Sequence, residues 1–383
     1  MIRGFFMHGL YKIFLLLSFL FLFWSCNQNA IKTPQGELIK NKYSQNFEIY
    51  RINEGYILKV INHYNESETD TNDYLLSSNL QDVNQNNNII HIPVQKVVCL
   101  STTHCAFIST LGDINSIKGV SGSNYIYENT LKNLISKNEI VDIGYDNQLN
   151  YEKIISLNPD VVFAYEIDKT GISALQKIED VGIPVVIIND FVESEPLGRT
   201  EWIKFFSCFY DKLEYGIHYF DSVEIIYTGL ITEIDKIQTA KPKVIVGLPW
   251  KGTWWVPGGN SFFANYISDA GGKYIFDNNN NSESIPLSIE EVFSQAKEAD
   301  IWLNPNDISF KSDIPEIDNR LKSFEPLINA EIFNNNKRKD KDGGNDFWES
   351  GIVHPDIVLR DLFQIFYPDS NENRKLFYYK QLY

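Results

Sequence analysis

Two stretches of the chain alternate short apolar strands with amphipathic helices, and this alternation restricts the fold more than any other feature. The first stretch begins at residues 97–100 and the second at residues 243–248. Strands and helices in such alternation form mostly parallel sheets with helices packed on their faces. The sequence therefore predicts an α/β fold with an N-terminal lobe at residues 93–199 and a C-terminal lobe at residues 241–383.

The segment between the lobes, residues 200–240, has a different pattern. It contains no proline, and its apolar residues recur at steps of three and four. This spacing is typical of a helix with one buried face. The sequence predicts a long helix that joins the lobes and ends before Pro242, and it leaves open a bend or break near Asp211 or Gly216.

Residues 26–92 precede the first lobe as a linker and small β extension. Residues 47–50 and 55–60 alternate apolar and polar side chains, which predicts a pair of strands. Residues 62–88 are rich in Asn, Ser and Asp, a composition typical of a solvated loop. No chemistry is visible in this extension, and no role is assigned to it.

The N-terminus has the pattern of an export signal. Two basic residues precede an apolar run at residues 13–24, which is too short to span a bilayer, since a spanning helix takes about 20 residues. The run ends at Ser25-Cys26, a small residue and a cysteine, as bacterial lipoprotein signals do. The sequence predicts a signal peptide over residues 1–25 and a lipid anchor on Cys26, hence a periplasmic, membrane-anchored protein; an uncleaved signal anchor is the alternative.

The overall charge and the missing enzyme motifs narrow the function. The formal net charge of −16 opposes binding to nucleic acid, which basic surfaces recognise. The sequence has no Gly-x-Ser-x-Gly, no phosphate-binding glycine loop with lysine, no His-Glu-x-x-His and no dinucleotide fingerprint. A binding protein is therefore predicted rather than an enzyme.

An internal repeat links the two lobes. Residues 149–156 and 287–294 each contain an N-cap, an apolar residue, Glu and a helical run, and each precedes Asp and a buried strand. Glu152 and Glu290 therefore occupy the equivalent second position of two helices, and residues 288–291 have the pattern of a capping box. Each carboxylate could complement its helix dipole, worth about 0.3–1 kcal/mol, or the two could dock onto basic residues of a two-fold symmetric partner.

Five motifs follow one another along the lobes: Val97-Val98-Cys99-Leu100-Ser101, Asn158-Pro159-Asp160-Val161-Val162, Gly182-Ile183-Pro184-Val185-Val186, Pro196-Leu197-Gly198-Arg199-Thr200 and Asp269-Ala270-Gly271-Gly272. In this order they resemble the periplasmic iron-siderophore and cobalamin substrate-binding proteins of ABC importers. The resemblance spans residues 93–368 and implies two Rossmann-like lobes joined by a single long α-helix. It also implies a protein without a resident cofactor that captures an iron chelate, haem or cobalamin and delivers it to the membrane subunits of an importer. A monomer is expected.

The resemblance also bears on the repeated carboxylates. In these proteins a carboxylate on each lobe engages arginines of the transporter's membrane subunits, and Glu152 and Glu290 match those positions. Docking is therefore the favoured role for the pair. A surface glycan-binding or adhesin-type lipoprotein is the alternative function, and binding to ferric siderophores, haem and cobalamin distinguishes the two.

The ligand is expected between the lobes at the carboxyl ends of the strands, where open α/β sheets bind ligands. Aromatic rings there offer wide, rigid surfaces for a chelate, porphyrin or corrin. Of the neighbouring Trp254 and Trp255, one ring is expected to face the core and one the outside. The few basic residues nearby, Lys251 with Lys169 or Arg360, favour a near-neutral ligand. The predicted ligand-binding residues are Tyr145, Tyr165, Trp250, Trp254, Trp255 and Trp348.

Two histidines are further candidates for contact with the metal of a bound chelate. His104 is expected in the first turn of a helix at the mouth of the cleft, and His354 precedes a proline, where a lone histidine is more often structural. The remaining histidines are widely spread along the chain. A site for a free metal ion needs several converging ligands, so none is predicted.

Overall fold

The structure is a computed structural model, and it describes residues 36–65, 68–79, 89–145, 148–165, 175–370 and 375–383. The predicted signal peptide, the predicted lipid-anchor residue Cys26 and the basic residue Lys169 lie outside these ranges. Residues Leu38 to Tyr383 form one unit.

The N-terminal extension is a five-stranded sheet whose strands lie in sequential order. The strands are β1 (Glu37–Ile39), β2 (Phe47–Ile52), β3 (Gly55–Asn65), β4 (Glu68–Ser77) and β5 (Ile89–His91). The predicted strand pair corresponds to β2 and β3, which are antiparallel with Phe47 opposite Val60. Their buried side chains join the core beneath the first lobe.

The expectation of a loop over residues 62–88 is wrong for its first part. Strand β3 continues to Asn65, and β4 pairs with it in an antiparallel ladder. Strand β4 buries Tyr74, Leu76 and Ser77 in its second half, while Asp70, Thr71 and Asp73 in its first half are exposed. A strand with solvated residues can have the composition of a loop, which is why the polar count was misleading.

The N-terminal lobe is a parallel five-stranded sheet with helices between its strands. Its strands are β6 (Val97–Cys99), β7 (Ile117–Val120), β8 (Val141–Asp142), β9 (Val161–Ala164) and β10 (Val185–Ile187), in the order β10-β9-β6-β7-β8. Its helices include α1 (Thr102–Thr110), α2 (Asn129–Ser136) and α3 (Tyr151–Leu157). Ser101 caps α1 as predicted, since its hydroxyl accepts a hydrogen bond from the Thr103 N–H. All five strands run the same way, so their carboxyl ends lie at one edge of the sheet.

Two helices, not one, connect the lobes: α4 (Pro196–Cys208) and α5 (Leu213–Ile234). The prediction of a single helix over residues 200–240 is therefore wrong, and the break falls at Asp211, one of the two positions left open. Asp211 has a φ of 54°, in the left-handed region that ends helices. Gly216 of α5 then packs closely against Ser207 of α4, where a Cβ would lie 2.5 Å from the Ser207 hydroxyl.

The C-terminal lobe contains two sheets. The larger has the strands β11 (Lys243–Val246), β14 (Lys273–Tyr274), β16 (Ile301–Leu303), β17 (Glu331–Asn334) and β18 (Lys380–Gln381), in the order β14-β11-β16-β17-β18. The smaller is antiparallel and has the strands β12 (Pro249–Trp250), β13 (Thr253–Val256) and β15 (Ile285–Ser288). The helices are α6 (Phe262–Asp269), α7 (Ile289–Ala296), α8 (Ile314–Ile317), α9 (Glu325–Asn329), α10 (Asp346–Glu349) and α11 (Pro355–Phe366). Among the described strands of the larger sheet, only β18 is antiparallel, so the carboxyl ends of the others also share one edge.

The internal repeat is visible in both lobes. Helix α3 begins after Asn150, whose side chain accepts from the Lys153 N–H at 2.9 Å, and α7 begins after Ser288. The predicted capping box of Ser288 and Glu291 is present. The two helices thus start in equivalent ways, which places Glu152 and Glu290 in their first turns.

A buried carboxylate fastens the N-terminal extension to α4. Glu201 is fully buried, and its carboxylate accepts hydrogen bonds from the main-chain N–H groups of residues 42–44 at 2.8–2.9 Å. It also pairs with the buried Lys204 at 2.6 Å. Breaking a buried ion pair strands the remaining charge, so this junction is sensitive to the loss of one partner.

We predict that Glu201→Ala lowers the free energy of unfolding by about 3 kcal/mol or more, because Lys204 and three main-chain donors lose their acceptor. Chemical denaturation measures the change. Glu214→Ala is the control, since Glu214 pairs with Arg51 in solvent and exposed pairs contribute less than about 1 kcal/mol. Equal effects of the two substitutions would contradict the assignment of Glu201.

Candidate ligand cleft between the lobes

The N-terminal lobe presents aromatic rings just beyond the ends of β8 and β9. Tyr145 follows β8, is about half exposed, and lies 4.9 Å from the exposed Tyr125 between ring centroids. Tyr165 directly follows β9 and packs edge-on against Phe191 at 6.5 Å. Both predicted tyrosines therefore lie at the carboxyl edge of the sheet.

The C-terminal lobe presents two tryptophans on one face of its small antiparallel sheet. Trp250 pairs with Thr253 across β12 and β13, which puts Trp250 and Trp255 on the same side. They are 61% and 50% exposed. The Lys251 ammonium lies 4.3 Å from the centroid of the Trp250 ring, at the tip of the hairpin.

Trp254 lies on the opposite face of this sheet and is fully buried. Its indole N–H donates to the Val246 carbonyl at 3.1 Å, and its ring packs against Trp302 and Phe324. The prediction that Trp254 contacts a ligand is therefore wrong. The alternation of β13 sends neighbouring rings to opposite faces, as expected for Trp254 and Trp255.

A small cavity of about 40 Å³ lies where the lobes meet. Helices α1 and α4 of the N-terminal side and α6 and α10 of the C-terminal side supply its walls. The predicted Trp348 is about half exposed and forms one wall. None of the other lining residues was predicted, among them Thr103, Arg199, Phe262, Tyr266 and Phe347.

Arg199 is the charged group of this cavity. Its guanidinium lies 3.8 Å from the centroid of the Phe262 ring. It donates to the main-chain carbonyls of Glu193, at 3.2 Å, and Phe191. Burial raises the pKa of the nearby Asp190 to about 6, and the charge of Arg199 opposes that rise. The motif around Arg199 was recognised in the sequence, but its place in the cleft depends on α4 lying against α6.

One segment of the C-terminal lobe, residues 338–349, fastens onto the N-terminal lobe; we call it the cross-lobe segment. Glu349 is almost fully buried and accepts hydrogen bonds from the main-chain N–H groups of Tyr127 and Glu128, at 2.7 and 2.8 Å. Asp340 forms an ion pair with Lys132. Burial raises the pKa of Glu349 to about 7, although these main-chain donors favour its charged form. The cross-lobe segment also carries Trp348, so the contact between the lobes and the cavity wall are parts of one element.

The two candidate histidines do not meet in the cleft. His104 is fully buried between the rings of Phe163 and Phe206, so the expectation that it faces the cleft mouth is wrong. His354 is partly buried, and its Nδ1 lies 3.3 Å from the Tyr219 hydroxyl. Within the described ranges, no three His, Cys, Asp or Glu side chains converge to hold a metal ion.

Comparison with known proteins identifies the family. Residues 97–326 match the family described as periplasmic binding protein. The chain belongs to this family. The resemblance seen in the sequence is thereby confirmed, and the family is one of solute-binding proteins. The N-terminal sheet of this periplasmic binding protein precedes the matched region.

Relatives and solved structures agree with that assignment. Two uncharacterized lipoproteins of Methanocaldococcus jannaschii are 30% and 26% identical over 76% and 80% of this chain, and over 69% and 79% of their own lengths. A possible iron-binding periplasmic solute-binding protein of Staphylococcus epidermidis aligns with a TM-score of 0.56 at 21% identity, over 72% of this chain and 99% of the other. A periplasmic heme-binding protein of Pseudomonas aeruginosa aligns with a TM-score of 0.56 at 16% identity, over 76% and 98%. Among the described residues, no helix is long and apolar enough to cross a membrane.

We predict that the buried His104 makes this protein sensitive to acid. Burial lowers the pKa of His104 to about 3 from 6.5. The unfolded chain therefore binds a proton that the folded chain excludes, and stability is lost as the pH falls from 6.5 towards 3. His104→Leu should reduce this loss, measured as the free energy of unfolding against pH.

The matched control for this prediction is His218→Leu, because the His218 side chain is exposed on α5. It should leave the pH profile of stability as in the wild type. The prediction is contradicted if the free energy of unfolding of His104→Leu falls with pH as steeply as that of the wild type. His104 would then be able to take up a proton in the folded state.

Proposed function

We propose that this periplasmic binding protein is anchored by a lipid on Cys26, captures an iron chelate, haem or a corrinoid, and delivers it to an ABC-type importer. The observation that carries the proposal is the set of exposed aromatic rings at the carboxyl edge of the N-terminal lobe and, in the C-terminal lobe, on the small sheet and the cross-lobe segment. Relatives named as lipoproteins support the anchor. Solved structures of similar fold named for heme binding and for Fe³⁺-hydroxamate transport support the ligand class.

The exposed rings are suited to a large planar ligand. Trp250, Trp255, Trp348 and Tyr145 each leave about half or more of their surface in solvent. Such rings give wide, rigid contact at low cost in side-chain entropy. The cavity of about 40 Å³ is far too small for a macrocycle, since ligand pockets measure about 300–1,000 Å³. The ligand would therefore lie across the mouth of the cleft, between rings from the two lobes.

We predict that Trp250→Ala and Trp348→Ala each weaken ligand binding about tenfold or more, because buried aromatic anchors carry much of the affinity of an interface. Titration with ferric siderophores, haem and cyanocobalamin, followed by tryptophan fluorescence, measures this. Tyr215→Ala is the control, because Tyr215 is equally exposed but bonds to Thr110 at the far end of α1. Failure of the wild type to bind any of these compounds would refute the proposed function.

The repeated carboxylates are proposed to dock the protein onto its importer. Glu152 and Glu290 are exposed in the first turns of α3 and α7. Glu290 accepts from the Arg320 guanidinium at 2.8 Å, and Arg320 is also held by Asp318. An exposed pair of this kind contributes little, so a basic residue of a membrane subunit could take the place of Arg320.

We predict that Glu152→Ala combined with Glu290→Ala leaves ligand affinity unchanged and weakens capture of the loaded protein by its importer in proteoliposomes. Loss of two charged contacts should lower that affinity at least tenfold. Glu233→Ala on α5, also exposed, serves as the control. If the double variant loses ligand binding, the docking role is contradicted. The two carboxylates then either line the cleft or stabilise their helices.

A further inference from the structure

Arg199 lies in the wall of the cavity between the lobes, and its guanidinium is held in one orientation. Its Nε donates to the Glu193 carbonyl at 3.2 Å, and its Nη2 donates to the Phe191 carbonyl. The guanidinium carbon lies over the Phe262 ring, 3.8 Å from its centroid. Two main-chain acceptors and one aromatic ring therefore fix the position of this group before any ligand arrives.

These contacts leave the outer edge of the guanidinium, formed by Nη1 and Nη2, without an acceptor. A guanidinium has five N–H donors in a planar fork, and the two main-chain carbonyls use two of them. The other donors form no hydrogen bond within the described part of the chain. Nη1 is not among the unpartnered atoms that the described residues seal from solvent. The outer edge is therefore open to a group that enters the cavity.

The neighbouring carboxylates do not fill this place. Arg199 is mostly buried, yet it forms no ion pair with a carboxylate of the described residues, although charges withdrawn from water are usually paired. The Glu193 carboxylate already accepts from the Asn46 N–H and the Trp202 indole N–H. Burial lowers the pKa of Arg199, and the charges of Asp190 and Glu193 oppose that change only in part. An added anion would therefore stabilise the guanidinium further.

The remaining wall of the cavity favours a charge interaction at Arg199. Among the described residues, no Asp or Glu and no second Lys, Arg or His lines it. Apolar walls exclude water and strengthen the attraction between opposite charges. The apolar lining residues include Phe262, Phe347, Trp348, Ile352 and Val358.

We infer that the outer edge of Arg199 binds a carboxylate on a side arm of the ligand. This inference rests on the proposed function and narrows its substrate class to a metal chelate or metal macrocycle with an acidic side arm. The two oxygens of a carboxylate match two parallel N–H donors of a guanidinium, so the contact is bidentate. One guanidinium matches one such group, which agrees with the few basic residues near the cleft.

The volume of the cavity fits one carboxylate. A water needs about 10–15 Å³ of cavity, so a cavity of about 40 Å³ holds roughly three atoms of that size. A carboxylate has three heavy atoms. The metal-bearing part of the ligand would remain over the exposed rings at the mouth of the cleft, and the side arm would pass the half-exposed Trp348 to reach Arg199.

Matched pairs of probes test the inference with the full chain purified in detergent. The pairs are N-succinyl and N-acetyl ferrioxamine B, a cyanocobalamin monocarboxylic acid and cyanocobalamin, and haem and its dimethyl ester. The two members of each pair share one metal-bearing core, and only the first has a free carboxylate on a side arm. We expect the wild type to bind the acidic member of at least one pair about tenfold or more tightly, since charge-assisted hydrogen bonds are the stronger ones.

The ratio of the two affinities within a pair is the measurement for the variants. Arg199→Met keeps a side-chain stem over Phe262 and removes the charge, so it should bring the ratio to about one. Arg199→Lys keeps the charge but loses the planar fork, so it should lower the ratio severalfold. Arg338→Met is the control, because Arg338 is also partly buried but donates to Asp346. It should keep the ratio of the wild type.

Two results would overturn the inference and leave the receptor function standing. One is a wild-type ratio near one in every pair that binds. The other is a preference for the acidic member that persists in Arg199→Met, which would restrict Arg199 to holding the two main-chain carbonyls. If Arg199→Met does not fold, as its melting curve would show, an undiminished preference in Arg199→Lys overturns the inference in the same way.

The failure of the proposed function would look different. If the wild type binds neither member of any pair, the receptor function and the carboxylate site are both overturned.

Discussion

Helix α4 is buried on nearly every side, and the three parts of the protein are assembled around it. Glu201 and Lys204 pair within it and hold the main chain of the N-terminal extension. Phe206 stacks on Phe107 of α1 and packs against Phe163 of β9, which fixes the N-terminal lobe. The Thr200 hydroxyl donates to the Ile352 carbonyl at 2.6 Å, which ties the C-terminal lobe to the same helix. Arg199 lies on the remaining face and lines the cavity, so one wall of the cleft belongs to a helix that all three parts of the protein hold in place.

This arrangement limits how the lobes can move. Besides α4 and α5, the lobes are joined by the cross-lobe segment, in which Glu349 holds two main-chain donors of the other lobe. Because Trp348 belongs to that segment, a ligand that displaces its ring acts directly on the contact between the lobes. Small adjustments at the mouth of the cleft fit this geometry better than a wide closing motion.

The features that depend on local periodicity were predictable. The two α/β lobes, the caps of α1 and α7, and the equivalent positions of Glu152 and Glu290 follow from strand and helix patterns over ten residues or fewer. The outward direction of Trp255 and the inward direction of Trp254 follow from strand alternation in the same way.

Features that depend on tertiary packing were not predictable. The break at Asp211 is accompanied by the close contact of Gly216 with Ser207, a tertiary contact that the helical spacing does not show. Strand β4 was hidden by the exposed polar residues of its first half. His104 has the composition of a cleft residue but is surrounded by aromatic rings of α4 and β9.

The central claim is that this protein carries a metal chelate or metal macrocycle. The most direct measurement is the visible absorption spectrum and metal content of the protein purified from its own membranes, before and after incubation with such compounds. The account predicts a chromophore that co-elutes with the protein at up to one iron or cobalt per chain. A protein that is colourless and metal-free when isolated, and that remains so after incubation, would contradict it.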